Sequence, residues 1–173
     1  MSAAPRSHPL ACPNCGAPLA PVNGPAHPYM IGSPACWAAF GALQAMELER
    51  FGYPAVHGLI VDSYAASHPG DGAARRDRQS VFIHLMALCA VLERGLHADA
   101  RIRLLRRLTA TKHDWPVLPR PLGHPALDHT SLRDPRDLAE YEADAGRWAR
   151  AVWGFWAPVH PQIRAALDRA YGG

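Results

Sequence analysis

Apolar positions recur at helical spacing through most of the chain and are absent as a pattern from its first 33 residues. The change comes at "SPACWAAFGALQAMELERFG". There Ser33 offers an N-cap, Pro34 takes the first helical position and Gly52 supplies a stop, with Trp37, Phe40, Leu43 and Leu48 spaced as on a helix. "YPAVHGLIVDSYAASHPG" predicts a second helix that starts near Pro54 and is broken at Pro69-Gly70. The link between these two helices is short, so residues 34–51 and 54–68 are expected to form an antiparallel hairpin. A third helix, "DGAARRDRQSVFIHLMALCAVLERG", is apolar nearly all round from Val81 to Leu92 and is expected at the centre, with Gly95 as its left-handed C-terminal cap. "HADARIRLLRRLTAT" predicts a fourth helix with Ile102, Leu105 and Leu108 inward. After a proline-rich connector, Asp134 is expected to cap a fifth helix with a stripe of Leu138, Tyr141, Ala145, Trp148, Val152 and Phe155. A terminal helix near 159–171 closes the chain. No stretch alternates as a strand would, so the expected fold class is all-α: about six helices in a bundle with an irregular N-terminal segment.

The 173 residues are enough to bury one core, and one domain is expected over 1–173. Its parts are an extension at 1–33, a four-helix core at 34–110, a connector at 111–134 and C-terminal helices at 135–171. The extension holds seven prolines and little apolar periodicity, so its order requires an external staple. Charge adds little: 18 basic and 15 acidic residues give a formal net charge of +3, with no polyelectrolyte character overall. The longest apolar run, "VFIHLMALCAVL", is too short to span a bilayer and contains His84, so no membrane association is expected. The first residues lack an apolar signal-peptide core, which points to the cytoplasm, where cysteines serve as ligands or buried thiols.

Cys12-Pro-Asn-Cys15, followed by Gly16, has the form of a knuckle presenting two thiolates to one tetrahedral zinc. A redox reading of this pair requires a strand beside a helix opening, and the prolines around it argue against that. The other two ligands follow from the hairpin. Folded about residue 52 or 53, it places side by side positions whose numbers sum to about 105, which brings Cys36 next to His68 at the open end. His57 returns to nearly the same face as His68 but about 16 Å away along the axis, too far to share an ion. His27 is the runner-up for the fourth ligand, and His8 follows it. The expected site is Zn²⁺ held by Cys12, Cys15, Cys36 and His68, a closed set that stabilises and leaves no position for catalysis. Cys89 is read as a buried thiol.

Beyond the metal, the same reasoning about a turn near residue 72 sets His84 level with residues 60–62. Asp62 is then its partner and His57 lies within about one turn. His57, Asp62 and His84 are candidates to line a polar pocket, either as a ligand site or as the centre of a small metal-dependent enzyme. The alternative is a satisfied core pair that fixes helix register. Arg101, Arg103, Arg106 and Arg107, with Arg75, Arg76 and Arg78, form a further candidate surface for phosphates. Interleaved Asp77, Glu93 and Asp99 disfavour nucleic acid.

"CPNCG", "SPACWAAF", "VHGLIVDSYAASHPG", "QSVFIHL" and "LCAVLERG", together with Trp148, Trp153 and Trp156, carry a resemblance to a bacterial family of uncharacterised proteins, a domain of unknown function. The resemblance spans most of the chain and implies no activity. The expected function is therefore that of a zinc-bearing binding or interaction module, its partner an unidentified small molecule or protein.

Overall fold

The computed structural model describes residues 8–110 and 113–171; residues 1–7 of the expected extension and 111–112 of the expected connector lie outside the described residues. The described chain is built of six α-helices, with one two-stranded ribbon at its start. The ribbon was not expected. β1 (Leu10–Ala11) and β2 (Pro18–Leu19) pair antiparallel, Leu10 opposite Leu19 and Ala11 opposite Pro18. Strands of two residues are too short to show alternation, so the sequence pattern could not reveal them.

α1 (Pro34–Phe51) begins and ends as its sequence requires: the Ser33 hydroxyl accepts the Cys36 amide, and Gly52 takes a left-handed conformation at φ 65°. α2 spans His57–Ser67, later than the expected start at Pro54, because residues 52–56 form the turn between the two helices. The hairpin register is the expected one. Cys36 meets His68, Phe40 stacks on Tyr64 with ring centroids 3.7 Å apart, and Glu47 meets His57, each pair of numbers summing to 104. Long side chains therefore fill the seam between α1 and α2.

α3 (Arg75–Arg94) is the central helix, with Val81, Phe82, Leu85, Met86, Leu88 and Cys89 all buried. It packs along α2 and also meets α4 (Ala98–Ala110), α5 (Leu138–Phe155) and α6 (His160–Tyr171). Gly95 ends it at φ 64°, its amide and that of Leu96 returning to Val91 and Ala90. In α4 the inward stripe is Arg101, Leu104 and Leu108, while Ile102 is exposed. The expectation of Ile102 inward is corrected because an arginine takes a buried place on this helix. The cap of α5 is Asp137, whose carboxylate accepts the Glu140 amide, and not Asp134. Tyr141, Ala145, Trp148 and Val152 are buried as the stripe requires, whereas Leu138, in the first turn beyond the edge of the core, is exposed; Trp156 donates its indole N–H to the Ala66 carbonyl of α2.

The connector earns its length by wrapping back over the knuckle. Trp115, Leu118, His129 and Leu132 are buried along it, and Arg120 and His124 both hydrogen-bond the Asn14 carbonyl. Asn14 in turn donates to the Pro69 carbonyl at the end of α2.

Candidate metal centre and polar cleft

Three chain segments converge on one point. The knuckle is closed by the Gly16 amide on the Cys12 carbonyl and the Cys12 amide on the Ala17 carbonyl, both 2.9 Å. Gly16 itself sits at φ 79°, a conformation that glycine tolerates and side chains resist. The first turn of α1 supplies Cys36, and His68, immediately after α2, supplies an imidazole. The ligand atoms of Cys12, Cys15, Cys36 and His68 all lie within 4.8 Å of one another, and all four residues are buried. Sγ of Cys15 and Cys36 are 3.7 Å apart, and His68 Nε2 is 3.2 Å from Cys36 Sγ and 3.5 Å from Cys12 Sγ. A tetrahedron with metal–sulfur bonds near 2.3 Å has edges of about 3.8 Å, so the donors are spaced as one small ion requires.

The surroundings complete the fit. His68 Nδ1–H donates to the Tyr64 carbonyl at 2.8 Å, which fixes the tautomer and leaves the Nε2 lone pair facing the thiols. The Tyr64 ring stacks on that of His68, centroids 4.1 Å apart, and its hydroxyl reaches Cys36 Sγ at 3.7 Å. Burial holds the Tyr64 phenol in its neutral, donating form. The thiols themselves are in conflict. Hydrogen bonds from its neighbours hold Cys12 far below the usual thiol range, while sharing with Cys12 pushes Cys36 up to about 12 and drives Cys15 higher still. Three buried sulfurs this close cannot ionise together by themselves, and a divalent cation at their centre removes the conflict. Gly32 keeps the approach clear, since a Cβ there would stand 3.2 Å from the His68 ring. His27 is not in this cluster: its ring packs edge-on against Tyr29 and Trp37, and Nδ1 accepts the Tyr29 amide. His8 is exposed and also apart from it.

The second candidate group divides. His84 Nδ1 is 2.7 Å from Asp62 Oδ1, at the expected level of the α2–α3 pair. His57 turns away to the other side of α2, where its Nδ1 lies 2.6 Å from Oε2 of the fully buried Glu47. That partner was legible in principle, because 47 and 57 obey the same register sum as 36 and 68. What the pattern missed is Arg101. Its Nε and Nη2 donate to both oxygens of Asp62, and the pair is buried. Arg101 is therefore withdrawn from the surface expected to contact phosphates, its charge answered within the core. Arg78 is engaged too, with Asp114 and with the carbonyls of Gly72, Ala73 and Trp115.

His84 lines an open cleft of about 400 Å³ with Tyr29, Arg75, Arg76, Gln79 and Ser80. Two further polar groups take places that the sequence reading did not assign them. Glu93 receives both Arg164 and the Trp153 indole, tying α3 to α5 and α6, and the paired guanidinium holds its carboxyl at about 2. His129 is buried edge-on to Phe40 and Tyr64 with no hydrogen-bond partner for either ring nitrogen among the described residues, and burial pulls it down to about 4. Cys89 is buried as expected.

Among the described residues no helix is long and apolar enough to cross a membrane. Comparison with curated proteins finds no match, and comparison with solved structures finds none either. The model of one protein family matches residues 10–157, from the first knuckle strand to just past the end of α5, and by that match the chain belongs to a family of unknown function, DUF5946.

Proposed function

We propose that the protein is a zinc-stapled helical binding module, in which the ion is structural and the ligand face is the cleft over His84. The observation that carries this is the closed Cys12, Cys15, Cys36 and His68 set, buried on every side and backed by the His68-to-Tyr64 hydrogen bond. Three thiolates and an imidazole are the donors that zinc selects, and four protein ligands leave it no place for water or substrate. The ion holds a proline-rich segment without a core of its own to the end of the α1–α2 hairpin. Residues 1–173 then act as one domain, and four cysteines of which none is in a disulfide fit a reducing compartment such as the cytoplasm. A catalytic metal at His57, Asp62 and His84 has less support, because His57 pairs with Glu47 and, among the described residues, no third ligand joins the other two.

Metal analysis of the purified chain tests the reading. About one zinc per chain is expected, lost together with the native fold of the N-terminal segment when Cys12 and Cys15 are both changed to Ser. A metal-free protein with an unchanged amide NMR spectrum for residues 10–36 overturns it.

A further inference from the structure

The cleft over His84 has a one-sided chemistry. Tyr29, Arg75, Arg76, Gln79 and Ser80 each bring a hydrogen-bond donor to its wall, Thr109 turns its hydroxyl back onto the Leu105 and Arg106 carbonyls, and no aspartate or glutamate lines it. The two arginines are held by neutral groups: Arg75 Nε donates to the His113 carbonyl at 3.2 Å, and the Arg76 guanidinium lies over the Tyr29 ring, 5.3 Å from its centroid. Neither has a carboxylate partner among the described residues, so both charges are available to a ligand. Both also belong to the first turn of the 20-residue α3, whose dipole adds to the positive potential. Of the carboxylates nearby, Asp62 beneath the floor is fully buried and occupied by Arg101 and His84, and Asp77, in the same first turn of α3, lies against Gly70 in a neighbouring pocket and not on the wall of this cleft.

The imidazole refines the class of anion. Asp62 takes the Nδ1–H of His84, which leaves Nε2 as a proton acceptor on the ring's other edge. A cleft of guanidinium donors with one fixed acceptor suits an anion that still carries a proton. A phosphate monoester, with a second pKa of about 6, still carries that proton in part near neutrality and inorganic phosphate carries it more fully, whereas sulfate and carboxylates are fully ionised there.

We infer that this cleft binds the phosphate group of a small phosphorylated compound, with Arg75 and Arg76 pairing its charged oxygens and the Asp62-held His84 accepting its P–O–H proton. The inference rests on the binding-module reading and names the ligand class of that site.

The test is titration of the zinc-loaded full chain with inorganic phosphate and, separately, with sulfate at constant ionic strength, followed by calorimetry and by the His84 imidazole NMR signals. Saturable phosphate binding is expected with a Kd of about 1 mM or tighter, sulfate binding about tenfold more weakly. Arg75→Ala with Arg76→Ala is expected to remove both, at unchanged zinc content and circular dichroism. His84→Phe, which leaves Asp62 paired with Arg101, is expected to abolish the preference for phosphate while retaining weak binding of either anion. Equal affinity for the two anions in the unaltered chain, or no saturation, overturns the inference without recourse to any variant. Such a failure in a chain that still carries its zinc strikes the ligand class alone, whereas a folded chain without zinc strikes the module itself.

Discussion

Gly58 in the first turn of α2 gives the clearest test of the buried Arg101–Asp62–His84 chain. A Cβ at this position would stand 2.7 Å from Cζ of the Arg101 guanidinium, well inside contact distance, and Arg101 cannot swing aside without leaving Asp62. Two effects of Gly58→Ala oppose each other. Replacing glycine within a helix favours the folded state by up to about 1 kcal/mol. Displacing the guanidinium weakens two charge-assisted hydrogen bonds, each worth about 1.5–3 kcal/mol, and leaves a buried carboxylate short of its cationic partner. The second effect wins, for a net loss of about 1–2 kcal/mol, read as a fall in melting temperature of about 2–4 °C per kcal/mol. Gly41→Ala is the matched control: this glycine lies on the exposed side of α1 with nothing within 4 Å of a built Cβ, so only the helix term applies and a gain of about 0.5–1 kcal/mol is expected. Urea unfolding of both variants at saturating zinc measures the difference. If the two substitutions raise stability alike, the tight Arg101 seat does not exist.

Two pH-linked predictions follow from the buried and paired titratable groups, each measured as the difference between variant and parent so that the pH dependence of the Cys12, Cys15, Cys36 and His68 cluster cancels. The Glu93 carboxyl is held at about 2 by Arg164, below its ordinary 4.5, so its contribution is complete above about pH 5 and disappears as pH falls through 2. Because the pair is partly exposed, Glu93→Gln should cost about 1 kcal/mol at pH 7 and converge on the parent near pH 2; a gap independent of pH would refute the clasp. His129 is neutral in the fold down to about pH 4, while the unfolded chain protonates it below about 6.5, so stability declines as pH drops between those values. His129→Phe, set against Phe40, Tyr64 and Trp148, should flatten that decline and leave the variant about 1–2 kcal/mol ahead at pH 5; an unchanged slope would show the imidazole has a partner.

The amino-acid pattern was sufficient where the forces are local or repeat along an element. Ser33, Pro34, Gly52 and Gly95 marked helix ends because capping is decided within a few residues. The six helices followed from apolar spacing, and the α1–α2 register followed from a short turn, which fixes which residues face one another. That register alone joined Cys36 to His68, 32 positions apart. The same sum placed Glu47 against His57, and the grouping of His57 with Asp62 and His84 failed because a histidine flanked by two helices chooses the nearer carboxylate.

Arg101 is where pattern reasoning reached its end. Periodicity treats charge as a mark of the surface, so it turned Ile102 inward and Arg101 outward, and the fold does the reverse. An arginine enters a core only when a carboxylate awaits it, and Asp62 lies 39 residues earlier on another helix. The sequence by itself determined the helices, their ends and the donors able to clasp a metal, since each depends on near neighbours or on one short turn. Only the tertiary structure decided which charges are taken up inside and which are left at the surface, because a buried ion's partner is chosen by packing between distant segments.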